Sequence, residues 1–436
     1  LKEDYPHFQL PKLTKELFFN HLFPNQPYDA RKMIYLMADT FKLVIEFLGQ
    51  MEYQTNIVAQ KKLKAEGLRK KGMVQEYHKE LNATEKIIIE NPVRDLDFFS
   101  DLYYLEAKKY TSGLPVSLSA SKENLEAIMD YLDKFYALGK LQFGSEIVSR
   151  KAILGENYGD ILFFEKTKTI VKMGFGKENP MIELFYLIIK MLETSEEDYY
   201  WQLKNLFFKR QEYLYRESKT DILSYLINYT VKQDKMKKDY FFNETYELCK
   251  FGFVNKIFSE FIPNTEHIFQ NLIINGSILK EFKWIDSFME SLKKTPNIGY
   301  SEDVIVFAKA NILYYKQNYT EARQLLLSCS FKREPDKVRT KAMLVRILYE
   351  EYLTDDTVYP LFLSTLQAFR RFLLRNKKLP HFRVVPYLNF LKYTKELSRH
   401  HFNRRINEKI KTRLVKNILS QKVSNSNWVL DKVNSL

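Results

Sequence analysis

The chain has 436 residues, 45% of them hydrophobic, with only 13 Gly, 13 Pro and two Cys. This composition excludes a disordered chain, a sheet-rich fold that consumes turn residues, and a disulfide framework or four-cysteine metal site. No run approaches the ~18 uninterrupted apolar residues of a membrane span, and the net charge of +14 comes from residues 370–422, where 16 Lys and Arg stand against two acids.

Helical periodicity runs from end to end. A short helix is expected over Leu13 to Leu22. Asp29 then reads as an N-cap, followed by Met33, Met37, Phe41, Val44 and Leu48 at steps of four, four, three and four, one face of a helix. This helix is expected to continue through Met51 and Ile57 into the charged stretch Gln60 to Lys71 and, with Val74 to Ile89, to complete a small bundle. Lys61, Lys62, Lys64, Arg69, Lys70 and Lys71 read as a solvated helix end, loosened by Gly67 and Gly72. Asp95 to Tyr110 is an aromatic-rich helix ending at Gly113-Leu114-Pro115, the best boundary candidate. The expected division is therefore an N-terminal helical bundle over 1–115 and a second region over 116–436.

Beyond it Glu123 to Ala152 is helical, and helices of ordinary length alternate with short turns to the end. Gly174-Phe175-Gly176-Lys177 lacks the spacing of a phosphate loop and reads as a turn. Glu165 and Lys168 read as an i, i+3 pair, which with Asp160 gives no nuclease site. Glu196, Glu197 and Asp198 match the dipole of the helix they open. Cys249 and Cys329 read as small buried hydrophobes in a reducing compartment.

The C-terminal half repeats. Turns are expected at Lys250-Phe251-Gly252, Phe282-Lys283-Trp284, Asn318-Tyr319 and near Thr354-Asp355-Asp356, with Trp284, Tyr319 and Thr354 spaced 35 residues apart. The unit from Val304 places small residues at Ala310 and Ala322, an aromatic at Tyr319, apolar Leu326, small Cys329 and Pro335 near its close. Small side chains at Ala310 and Ala322 let two antiparallel helices approach closely. Here the chain resembles a tetratricopeptide repeat, with departures at Lys309 and at Gln317, where Gly is common. The unit around Trp284 has Asn275 and Ser287 at the small positions. The resemblance implies an all-α fold whose second region is an irregular α-solenoid of helix hairpins, and a groove that binds protein or peptide.

The basic block supplies the candidate binding surface: Arg370, Arg371, Arg375, Lys377 and Lys378 at the end of one helix, then Arg404, Arg405, Lys409, Lys411, Arg413 and Lys416 on a last long helix. That helix carries the narrow stripe Phe402, Ile406, Ile410, Leu414 and Ile418 and reads as a basic cap on the repeat stack. Phe382, Tyr387, Tyr393 and His400 stand nearby for stacking on single-stranded nucleic acid. His400 and His401 are adjacent, so their side chains diverge by about 100° on a helix and do not chelate. No nucleophile, metal-ligand or cofactor motif is found. The reading is a non-catalytic, cytoplasmic protein- or peptide-binding scaffold without cofactor; the alternative is RNA or ribonucleoprotein binding through the basic C-terminal surface.

Overall fold

The computed structural model describes residues 14–111, 118–154, 157–233, 238–258, 265–293, 300–328, 330–403 and 408–435. The protein is all-α, with twenty α-helices and no strand among the described residues. It divides into two compact units, Leu1–Tyr215 and Arg216–Leu436.

In the first unit, α1 (Lys15–Leu22) is capped by Thr14, and α2 (Ala30–Thr55) by Asp29, whose carboxylate accepts from the backbone N–H groups of Arg31 and Lys32 at 2.9 and 3.1 Å. The apolar stripe of α2 does not join a bundle as its periodicity suggests. Met33 is buried, whereas Met37, Phe41, Val44 and Leu48 are exposed. Nor does α2 run on into the basic stretch. Asn56 ends it, and the Asn56 side chain accepts from Ala59 N–H at 2.9 Å to start α3 (Ile57–Lys70).

Gly72 turns α3 into α4 (Val74–Glu90). It adopts φ +71°, and Gly72 and Met73 donate back to the carbonyls of Arg69 and Leu68, a Schellman closure that needs a left-handed residue. Gly67 lies inside α3 without breaking it. The basic stretch is a solvated end only in part: Lys64, Arg69, Lys70 and Lys71 are exposed, but Lys61 and Lys62 are half-buried, Lys61 pairing with Glu80 of α4 at 2.9 Å, which Lys64 also reaches at 3.2 Å, and Lys62 pairing with Asp101 of α5 (Leu96–Thr111). Ala65, Tyr77, Leu81, Ile88, Leu102 and Leu105 form the core that these three helices share.

The expected boundary at residue 115 lies within the first unit. Residues 112–117 are outside the described residues, and the helices on either side, α5 and α6 (Leu118–Leu154), pack extensively on each other. The long α6 also packs on α8 (Pro180–Thr194), whose Met181, Ile182, Leu184, Phe185, Ile188 and Ile189 are all buried, and this contiguous core carries the unit past 115. Between them α7 (Phe164–Lys172) ends in the turn expected at Gly174 to Lys177, with Gly174 at φ +106°. α9 (Glu197–Lys209) completes the unit.

The second unit is a succession of helices, most of which pack on their neighbours in the chain: α10 (Arg216–Lys232), α11 (Lys238–Val254), α12 (Glu266–Ile278), α13 (Phe282–Lys293), α14 (Glu302–Tyr315), α15 (Tyr319–Leu327), α16 (Glu334–Thr354), α17 (Tyr359–Arg375), α18 (His381–Asn403), α19 (Glu408–Ser420) and α20 (Ser426–Asn434); α14 packs on α12 more than on α13, and α18 on α20 more than on α19. Ala310 and Ala322 are fully buried, at the contact of α14 with α15. The turns near Asn318 and Asp355 fall as expected, but Lys250 to Gly252 lie inside α11, and Phe282 opens α13 instead of turning. The 35-residue recurrence does not mark equivalent positions, because Tyr319 opens α15 while Thr354 closes α16. First helices α12, α14 and α16 begin at Glu266, Glu302 and Glu334. The close approach in the Trp284 hairpin occurs at Gly276, where a Cβ would stand 2.9 Å from Ile285 of α13.

The last long helix is two, α18 and α19, and α19 is not the end of the stack: α20 follows and buries Trp428, Val429, Leu430 and Val433. Leu414 and Ile418 of the apolar stripe are buried and Ile410 is half-buried, while the Phe402 side chain and Ile406 lie outside the described residues. So does Cys329; Cys249 is fully buried, and that burial pushes its thiol pKa well up.

Candidate functional site

The basic block is contiguous in sequence but not in space. Arg370, Arg371, Arg375, Lys377 and Lys378 are exposed at the end of α17 and the following turn, and Arg371, Arg375, Lys377 and Lys378 line a hollow with Phe372 and Glu334. None of these five pairs with a carboxylate among the described residues, although Glu334, held below the usual carboxylate range by hydrogen bonds from Lys337 and then Asn376, lies in the same hollow. Arg404 and Arg405 are outside the described residues.

α19 runs antiparallel to α18, since Arg413 meets Glu396 at 3.0 Å while Gln421 accepts from the Tyr393 hydroxyl at 3.0 Å. Lys409 and Arg413 therefore sit beside the far half of α18. Its near end, at His381, adjoins the α17 cluster. Fifteen residues of helix separate His381 from Glu396, about 22 Å at 1.5 Å per residue. Arg413 is paired, and Lys411 donates to the Asn434 carbonyl at 3.0 Å; Lys409 and Lys416 stay exposed without a carboxylate partner among the described residues. The block is thus two patches. The aromatics do not convert either into a stacking platform: Tyr393 is buried, Tyr387 packs edge-on to Phe369, and His400 lies 4.0 Å from Glu396. Phe382 alone of the four is exposed.

A more enclosed site lies on the other side chains of this unit. Alternate helices α10, α12, α14 and α16, closed by α18 and α20, line a groove of about 530 Å³. Its walls carry Gln270 and Asn271 from α12, Asn311 and Tyr315 from α14, Arg339 and Arg346 from α16, and Asn427 and Trp428 from α20, with no Asp or Glu among the lining residues. Gln270, Asn311 and Arg346 are buried polar residues of α12, α14 and α16.

Arg346 sets the electrostatics. It is only 8% exposed, and its guanidinium lies 4.4 Å from the Tyr314 ring centre, with Nη2 donating to the Tyr315 hydroxyl at 3.4 Å. Its Nε is buried without a hydrogen-bond partner, and no carboxylate pairs with it among the described residues. The nearby acid is committed elsewhere. Glu350 Oε1 accepts from Tyr314 at 2.9 Å and Trp428 Nε1 at 3.0 Å, and Oε2 accepts from Lys432 at 2.6 Å. Burial holds the Tyr314 hydroxyl far above its usual pKa, so it stays a donor.

Arg339 projects from the same helix two turns earlier and donates to Gln270. Asn311, buried in the groove lining, donates to the Phe307 carbonyl at 2.8 Å. A guanidinium taken out of water without a carboxylate is costly, and an incoming anion would relieve that cost. None of these residues stands out in the sequence, because asparagines and arginines scattered from Asn271 to Asn427 form no local motif. The one legible signal was the repeat itself, which implies a groove without naming its lining.

No group of three or more His, Cys, Asp or Glu is placed to hold a metal ion among the described residues. Among them no helix is long and apolar enough to cross a membrane. No protein-family model matches this chain, and no curated protein or solved structure matches it either.

Proposed function

We propose that this chain is a non-catalytic, cytoplasmic scaffold that holds an extended, carboxylate-bearing segment of a partner protein in the groove of its second unit. The observation that carries the reading is Arg346, a buried cation in the groove wall with an unpartnered Nε and no carboxylate on it. Asn271, Asn311 and Asn427 around it offer amides suited to a peptide backbone, and Tyr315 and Trp428 offer apolar faces. The test is selection from a random 12-residue peptide library on the full chain, followed by titration of the enriched peptides. Acidic sequences should be enriched, and R339E should weaken them at least tenfold with the fold retained. R346M should do the same if it folds. Enrichment without acidic preference, or binding untouched by R339E, overturns the proposal.

A second reading, nucleic-acid binding, is favoured by one observation only: five exposed cations at the α17 end without ion-pair partners. It predicts retention of single-stranded RNA that falls steeply with salt and is lost when Arg371, Arg375, Lys377 and Lys378 become Glu.

A further inference from the structure

From Met37 to Thr55 every side chain of α2 is exposed. An apolar helix face left open to water over this length marks an interaction surface. Its sequence says what kind. Read outward from Val44 in both directions, α2 carries matched pairs at four steps: Leu43 and Ile45 beside it, Phe41 and Phe47 three residues away, Met37 and Met51 seven away, and Tyr35 and Tyr53 nine away, the match failing on this face only where Thr40 stands opposite Leu48.

The mirror is also a face. At 100° per residue, positions three and seven from Val44 fall within about 60° and 20° of its direction, so Met37, Phe41, Val44, Phe47 and Met51 look one way. Asp39, Lys42 and Glu46 fall on the opposite side, in water. Two such helices related by a two-fold axis at Val44 run antiparallel. Val44 meets Val44 of the second copy once, on the axis, while Phe41 comes level with Phe47 and Met37 meets Met51, each of these two contacts made twice. A mirrored face is its own complement only in this arrangement. An unrelated partner or a parallel pair would gain nothing from the symmetry.

Phe41 and Phe47 are 64% and 58% exposed, and at about 150–250 Å² per aromatic side chain the two rings alone offer about 180–300 Å² per copy. Met37, Val44, Leu48 and Met51, each about half exposed, bring the face toward the roughly 600 Å² per partner at the lower end of stable interfaces. A lipid surface fits less well, because the back of α2 carries acids as well as a lysine and the helix has no Trp. We propose that the chain forms an isologous dimer through antiparallel pairing of α2 with α2 of a second copy, its axis at Val44.

The experiment measures the mass in solution of the full chain at micromolar concentrations, by light scattering and sedimentation. The wild type should be a dimer and V44E, which sets two carboxylates against each other on the axis, a monomer with unchanged helical content. In a background with Cys329 replaced by Ser, oxidation should cross-link V44C with itself, and M37C only when mixed with M51C. Facing Cα atoms on helices about 10 Å apart lie within disulfide reach. A monomeric wild type, a dimer indifferent to V44E, cross-linking of M37C alone, or capture of the chain by phosphatidylcholine vesicles through α2 would each overturn the proposal.

Discussion

Trp428 donates its indole N–H to Glu350 at 3.0 Å across 78 residues of chain, joining α20 to α16. The carboxylate is buried, and its other partners are Tyr314 and Lys432. Hydrogen bonds to a charged group contribute about 1.5–3 kcal/mol. W428F, which keeps an aromatic ring and loses the donor, should therefore lower the stability of the second unit by about that amount. W428A should cost about 3–5 kcal/mol, since it also opens a cavity against Tyr349 and Phe390. Urea denaturation followed by tryptophan-independent circular dichroism measures both.

Gln317 holds φ +65°, and the N–H groups of Gln317 and Asn318 close α14 on the carbonyls of Tyr314 and Leu313. A side chain in the left-handed region costs about 1–2 kcal/mol that glycine does not suffer. Q317G should raise the stability of this unit by about 1 kcal/mol, and Q317A should not. Thermal melting of the two variants side by side is the check.

His78 on α4 is half-buried with a buried, unpartnered Nε2, and burial first, then the Lys109 ammonium, lowers its pKa. As pH falls, the unfolded chain takes up the proton near its ordinary value of about 6.5, before the folded chain does. Stability from this residue is full above that pH and is lost as pH drops through the unfolded and then the folded pKa. The first unit should thus be less stable at pH 5.5 than at pH 7.5, and H78Q should flatten that part of the difference. Denaturation midpoints at the two pH values test it.

What was legible in the sequence was whatever is local. Asp29 announced the start of α2 because an N-cap is satisfied within three residues, and Ala310 and Ala322 announced a close approach because small residues at helical spacing have one simple use. The stripe on α2 was legible as a face, but periodicity says which side of a helix is apolar and nothing about what covers it. The basic block misled for a related reason: α18 carries one part of it about 22 Å from the other, a separation that charge counting along the chain does not register. Glu350, Trp428 and Lys432 were invisible because their partnership exists only after α20 has packed against α16. Gly276 and not the neighbouring Asn275 is the small residue of its helix contact, because the side chains of Tyr246 and Ile285 that require it come from other helices.

The distance along the chain between Glu350 and Trp428 also sets a wait during synthesis. At about 5–20 residues per second, the 78 residues between them take about 4–16 s to be added. Throughout that interval Glu350 lacks both its indole donor and the Lys432 ammonium, and Arg346 lacks the Trp428 ring that lies 5.8 Å from it. The wall of the groove therefore sets only after α20 has been added and has packed against α16.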